Sequence, residues 1–309
     1  MINKTVNMAG LIFKNPVMCA SGTFGSGMEY ADFFDLNVLG AIVTKGVASI
    51  PWEGNAVPRI AETPAGMLNA IGLQNPGIDV FMERDLKFLE KTLQADSDGL
   101  RTRIIVNVVG KSIEDYVTVI EKLNETVADA YEINVSCPNV KEGGIAFGQD
   151  PSALMQITTA VKKAAHKPVI MKLSPNVTDI TEMAKAAEAA GADAISLINT
   201  ITGMKIDVYK KCFVIANRTG GLSGPAIRPV AVRMVWQCAQ CVNIPIIGMG
   251  GITTAEDAVE FLLAGATGVA VGAAHFHDPL ASCQVVKGIE TYMNEQDITD
   301  ISSLIGAVK

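Results

Sequence analysis

Eight short apolar runs recur along the chain, at PVMCASG, AIVTKG, RIIVNVVG, AYEINVSC, PVIMKLS, AISLINT, PIIGMGG and GVAVGAA. Each is nearly continuous in Val, Ile, Leu, Met and Ala, the signature of a strand covered on both faces. Amphipathic stretches at helical spacing lie between them, among them 112–125, 152–165, 179–190 and 254–264. Several open on Ser, Thr or Asp, whose side-chain oxygens cap a helix N-terminus. A short hairpin is expected ahead of the first run, with 5–7 and 11–13 turning at Ala9-Gly10. Strand and helix in regular alternation predict an α/β fold with a parallel sheet.

A closed (β/α)8 TIM barrel and an open doubly wound sheet share that alternation. The polar residues favour the barrel: Ser21, Lys45, Asn107, Asn134, Lys172, Asn199 and Gly250 all fall at the C-terminal ends of their strands, the rim where barrels build their sites. Two insertions, 47–77 and 201–225, interrupt the rhythm at the same rim, and loops of that length in a compact domain are usually functional. No internal boundary divides residues 1–309, so one barrel domain is expected. The stretch after Asn294 is polar and predicts no element.

Composition narrows the partners. The chain has 309 residues, 49% of them hydrophobic, and 25 Lys and Arg against 32 Asp and Glu for a net charge of −7. The mean hydropathy is +0.30 and the isoelectric point about 5.1. Without a basic run, nucleic acid is not an expected partner. No apolar run reaches the roughly 20 residues needed to span a bilayer. The first residues lack the apolar core of a signal peptide, and the 6 cysteines are scattered, so a reduced cytoplasmic setting without membrane contact is expected.

Four constellations carry candidate chemistry. Glycines crowd the last strands, in GGLSGPA, GMGGITTAED and GVAVGAA, where bare backbone amides could meet a phosphate, although glycine also simply ends barrel strands. Lys45 and Lys172 close otherwise apolar strands, and a lysine there either meets an anion, snorkels to water or serves as a Schiff-base amine. Asn69, Asn107, Asn134 and Asn199 offer neutral amides that donate and accept together, which suits a planar heterocycle. Along 130–136, Glu132, Asn134 and Ser136 face opposite to Tyr131, Ile133 and Val135, and Cys137 follows where Pro138 stops the strand. A thiol there can act as base or nucleophile, under a loop that Gly143 and Gly144 could let close. Three other features point to no site: Cys238 and Cys241 merely share a helix face, His275 and His277 lack acidic or thiol partners, and His166 falls at the opposite end of the barrel.

Taken together, ASGTFGSG, GMLNAIGLQNPG, NVSCPN with GGIAFG, KLSPN, INT, GGLSGPA and GMGG resemble the dihydroorotate dehydrogenases of class 1, over about residues 5–290. NAIGLQNPG looks like class 1B. The resemblance implies FMN on the barrel mouth, contacted by Ser21, Lys45, Gly46, Asn107, Asn134, Lys172 and Ile198. Gly224, Gly250, Gly251, Gly272 and Ala273 would meet its phosphate side, Ala273 standing where the family often has Thr. Substrate would be held by Lys45, Asn69, Ala70, Ile71, Gly72, Leu73, Asn134, Asn199 and Thr200. Cys137 would take a proton from dihydroorotate while hydride leaves for the flavin, giving orotate for pyrimidine (UMP) synthesis. Class 1B further implies a partner subunit with FAD and a 2Fe-2S cluster, two of each subunit in a heterotetramer, and NAD as final acceptor. No metal is expected on this chain. A fumarate-using class 1A enzyme, a flavin-free barrel lyase with a Schiff-base lysine, and a non-catalytic relay subunit remain alternatives.

Overall fold

The computed structural model describes residues 2–135 and 147–309. Eight parallel strands close into a barrel: β1 Val17–Cys19, β2 Ala41–Val43, β3 Arg103–Val108, β4 Ala130–Asn134, β5 Val169–Lys172, β6 Ala194–Leu197, β7 Ile246–Met249 and β8 Gly268–Val271. Each pairs with its sequence neighbour, and β8 pairs with β1. All eight fall inside the apolar runs, and the closed ring decides for the barrel over the open sheet.

The helices begin where side-chain oxygens can satisfy their free N–H groups. Ser112 caps Ile113–Leu123, Asp150 caps Pro151–Ala164, Asp179 caps Ile180–Ala189, and Thr254 with Asp257 forms a reciprocal capping box on Ala255–Leu263. Arg228–Ala239 and Ala281–Glu295 complete the later part of the outer ring. After β2 the place of a regular helix is taken by Ile78–Thr92, whose middle, Phe81–Leu86, widens into π-helical turns. Buried Asp85 on that stretch accepts from Ser26 Oγ at 2.7 Å, tying the helix to the loop after β1.

The N-terminal hairpin, Val6–Met8 with Leu11–Phe13, plugs the bottom of the barrel. Met8 and Phe13 are buried, and a side chain on Gly268 of β8 would strike Met8 Sδ. The segment past Asn294 has more structure than its polarity suggested. Ile301 and Leu304 are buried, Ile301 N–H donates to Asn3 O at 3.0 Å, and the chain end runs back along Leu262 and Leu263. Two apolar residues spaced by three in a short turn are too faint a pattern to read in advance.

The two insertions do not lie apart. Ile60–Thr63 and Gly66–Asn69 from the first join edge to edge with Ile201–Met204 and Thr219–Ser223 from the second in one four-stranded antiparallel sheet over the C-terminal rim. Ala61, Leu68, Ala70 and Ile215 form its own small core, separate from the barrel's. Leu68→Ala should therefore loosen the cap alone, at a cost of about 2–5 kcal/mol. Hydrogen exchange is expected to accelerate in 60–69 and 201–223 while β3 to β6 keep their protection; equal acceleration in the barrel strands would show that the cap is not a separate unit.

Candidate active site

The parallel register sets which side chains meet. Asn107 on β3 pairs with Glu132 on β4, Asn134 on β4 with Lys172 on β5, and Ser196 on β6 with the same Lys172. Register partners point to the same side of a sheet, so these five side chains share the barrel interior near its C-terminal end. Their neighbours Tyr131, Ile133, Met171 and Ile195 face the helices instead; Tyr131 donates its hydroxyl to Asn124 Oδ1 at 3.1 Å.

Glu132 is the hub. It is 1% exposed, and both its oxygens meet donors: Asn107 Nδ2 at 2.6 Å and Ser196 Oγ at 2.7 Å. Lys172 Nζ lies 3.8 Å from the same carboxylate and donates to Ser21 Oγ at 2.9 Å. Because β1 and β5 stand on opposite sides of the ring, the Lys172–Ser21 bond spans the mouth. Asn107 Oδ1 is buried and has no hydrogen-bond partner among the described residues. It sits over Gly46, where a Cβ would come within 2.9 Å of it.

The remaining amides follow around the rim. Asn199 Nδ2 reaches Asn134 Oδ1 at 3.4 Å, and Tyr116 donates its hydroxyl to Asn134 O at 2.9 Å. Asn176 takes the Thr200 carbonyl at 3.0 Å and the Thr202 amide at 2.9 Å, anchoring the start of the second insertion. The cap then brings Asn69 down: it pairs with Gly221, and a Cβ on Gly221 would lie 2.0 Å from Thr200 Oγ1. Asn69, Gly221 and Thr200 are thus stacked through a contact that only glycine permits.

The segment 70–73 is held from behind by the earlier part of the same insertion. Asn55 donates its backbone N–H to Ile71 O and its side chain to Ala70 O, and Ala70 N–H donates to Arg59 O. Gly72 has φ +74° and a Cβ there would strike Asn55; Leu73 follows at φ +54°, a costly conformation for a side-chain-bearing residue. Arg59 bonds the carbonyls of Glu53 and Asn55 and Gln74 Oε1. Burial, and then the nearby Arg59 guanidinium, pull Lys45 below the ordinary lysine value. Lys45 and Arg59 make this side of the mouth electropositive, as an anionic ligand requires.

At the glycine-rich side, Gly250 and Gly251 have φ +137° and +75°, and a Cβ on Gly251 would come within 2.7 Å of Gly224 O. Glycine is required there first to let the loops after β6 and β7 touch. Gly272 differs, with open space beyond Ala20 and Thr23.

Of the sequence candidates, Asn107 and Lys172 meet Glu132 and Ser21 joins them through Lys172; Asn134, Asn199, Thr200 and Asn69 line the adjoining rim. Ile198 is buried beside them, its N–H given to Met249 O. Cys137, with Gly143 and Gly144, lies outside the described residues. Glu132, Ser196 and Arg59 were not among the candidate site residues. A glutamate inside an apolar strand was the available signal for the first, since such a charge is seldom buried without partners.

Two of the features set aside, Cys238 and His275, are buried in the packing. Cys19 and Cys238 are buried thiols pushed up to about 12 by desolvation, and no cluster of metal-ligating side chains occurs among the described residues. His275 Nδ1 lies 3.1 Å from Gly272 O, which can only accept, so Nδ1 carries the proton and Nε2 accepts from Ser282 Oγ at 2.5 Å. Phe24 and Tyr30 pack against its ring.

Fold and site define a parallel barrel with a polar, cationic mouth built of amides, roofed by an antiparallel sheet. The profile of the dihydroorotate dehydrogenase family matches residues 3–293, and the chain belongs to that family. It is 63% identical over 308 residues to a protein of Lachnoclostridium phytofermentans named dihydroorotate dehydrogenase B (NAD(+)), catalytic subunit, covering 100% of both chains. Proteins of the same name from Alkaliphilus metalliredigens and Geotalea uraniireducens are 57% and 55% identical, over 99% and 98% of this chain and 99% and 97% of theirs. No helix among the described residues is long and apolar enough to cross a membrane.

Burial lowers His275 from 6.5 to about 4. The unfolded chain then binds the extra proton between those values, so stability rises with pH across that window and the full cost is felt below it. The expected loss on acidifying from pH 6.5 to 4 is about 3 kcal/mol from this residue. Denaturant titrations of wild type and His275→Asn should differ by that slope; parallel curves would remove His275 from the acid response.

Proposed function

We propose that this chain oxidises dihydroorotate to orotate in pyrimidine synthesis, as the FMN-bearing catalytic subunit of an enzyme whose electrons end on NAD. The observation that carries the reading is the full-length similarity to proteins named as the NAD(+)-type catalytic subunit, combined with the unsatisfied Asn107 Oδ1 beside Gly46. A buried acceptor without a donor costs about 1–3 kcal/mol. The N–H of a planar heterocycle seated over Gly46 would relieve that cost, and in this sense the residues fit a flavin. We read residues 1–309 as one domain, because both insertions join in a single cap over a single barrel.

Ser21, Lys45, Gly46, Asn107, Asn134, Lys172 and Ile198 would hold the ring. Gly224, Gly250, Gly251, Gly272 and Ala273 would serve the phosphate through backbone amides. Bound FMN supplies the two-electron acceptance that oxidation of a ring carbon needs. The protein's own part is orientation and proton transfer. Lys45, Asn69 to Leu73, Asn134, Asn199 and Thr200 would orient dihydroorotate, with Lys45 facing its carboxylate. Cys137 would take the proton from the carbon beside the ring carbonyl, water being kept out by the cap. The lysines then bind rather than form Schiff bases. A separate subunit with FAD and a 2Fe-2S cluster is expected to carry electrons on to NAD, consistent with the word subunit in the relatives' names and with cysteines here that are buried or dispersed.

Purified protein should be yellow or should bind added FMN; a colourless preparation that cannot be reconstituted would sink the flavin reading. Cys137→Ala should keep FMN and lose about 10²- to 10⁴-fold in dihydroorotate turnover with an artificial acceptor. Near-normal turnover would assign the proton to another group. NAD reduction should require co-expression with the electron-transfer subunit, whereas fumarate reduction by the chain alone would place it with class 1A.

A further inference from the structure

We propose that Glu132 is a positioning residue for the flavin: it fixes the Asn107 amide with its oxygen turned to Gly46, and it offsets the charge of Lys172, so that it sets the flavin's reduction potential. The inference rests on the reading of the chain as an FMN-dependent dehydrogenase.

The orientation follows from donor and acceptor counting. Glu132 receives Ser196 Oγ on one oxygen and Asn107 Nδ2 on the other, with the Lys172 ammonium beside the second. A carboxylate ringed by donors is an acceptor on both sides, and only the NH₂ end of an asparagine can face it. Asn107 Oδ1 must then point away, over Gly46, where it lacks a partner among the described residues. Without Glu132 the amide could turn over and present a donor in the same place. The hydrogen-bonding face offered to a ligand is therefore chosen by a residue that need not touch it.

The electrostatic part follows from distance and burial. Glu132 and Lys172 are 1% and 4% exposed, and at 3.8 Å inside protein their fields largely cancel for any ligand seated above. A cation near a flavin favours its reduced, electron-rich form. A glutamate beside that cation moderates the preference, so the site can accept electrons from substrate and still release them to the next carrier.

Glu132→Gln keeps the size and can keep both hydrogen bonds while removing one negative charge. Dye-coupled redox titration of the FMN-loaded chain should show the reduced form favoured at least tenfold more than in wild type, a rise of about 30 mV for a two-electron couple. Ser196→Ala, which retains the charge, should leave the potential where it is. Should Glu132→Gln fail to fold, Glu132→Asp serves: its shorter carboxylate keeps the charge but cannot bridge Asn107 and Ser196 together, and FMN should bind about tenfold more weakly. An unchanged or lowered potential in Glu132→Gln, an equal rise in Ser196→Ala, or wild-type FMN affinity in Glu132→Asp would each overturn the proposal. Failure of the wild-type chain to bind FMN would instead overturn the functional reading beneath it.

Discussion

A carboxylate buried in the mouth of a barrel is the constraint on which the site depends. Stripping Glu132 of water costs several kcal/mol, and the fold tolerates it because donors from three different strands converge on it. Asn107, Ser196 and Lys172 can do so only if β3, β4, β5 and β6 hold one register. A slip of a single residue would turn each of those side chains outward into the helices and bring Tyr131 or Met171 into the interior. Register and site are consequently the same fact. The polar layer beneath the mouth is a specification of strand pairing as much as a piece of chemistry.

The cap depends on the barrel in the same way. Its outer strands come from insertions more than a hundred residues apart, and neither has enough apolar surface to stand alone; the shared core is only Ala61, Leu68, Ala70 and Ile215. Pairing of Gly66–Asn69 with Thr219–Ser223 closes it, and Asn176 pins one end to the rim beside Asn199 and Thr200. A roof with so little core of its own is the part of the molecule able to open at low free energy. A site that must admit substrate and then exclude water is well served by such a roof.

Much of this was legible in the chain. The eight strands, four of the helices, three of them with their caps (the helix expected to open on Ser152 is capped by Asp150 instead), and the rim position of Lys45, Asn107, Asn134 and Lys172 follow from local pattern, because runs of Val and Ile and a Ser or Asp ahead of an amphipathic stretch act within a few residues. The cap sheet was not legible: its strands are short, rich in glycine, and paired across a sequence gap that no periodicity reports. The turn at 301–304 escaped for a similar reason, since Ile301 and Leu304 carry the docking of an otherwise polar segment. Asn199 and Asn69 could be named as candidates, but their approach through Gly221 and Thr200 is a property of the cap.

Glu132 shows a different limit. Its inward direction could be read from the alternation of AYEIN, and its residue type was visible, yet it did not join the candidate set. Reactive or ligand-facing groups are sought at strand ends, whereas Glu132 sits one pleat below, where its neighbours are protein. A residue at that depth is recognisable only when the partners around it are known, because its effect is exerted through them: the Asn107 amide it orients and the Lys172 charge it offsets. The mouth's chemistry is therefore written in two layers. The upper one, of lysines and amides, is readable from sequence by type and position. The lower one bears on which face the Asn107 amide presents and how much of the Lys172 charge is felt, and it becomes readable only from the register of the closed barrel.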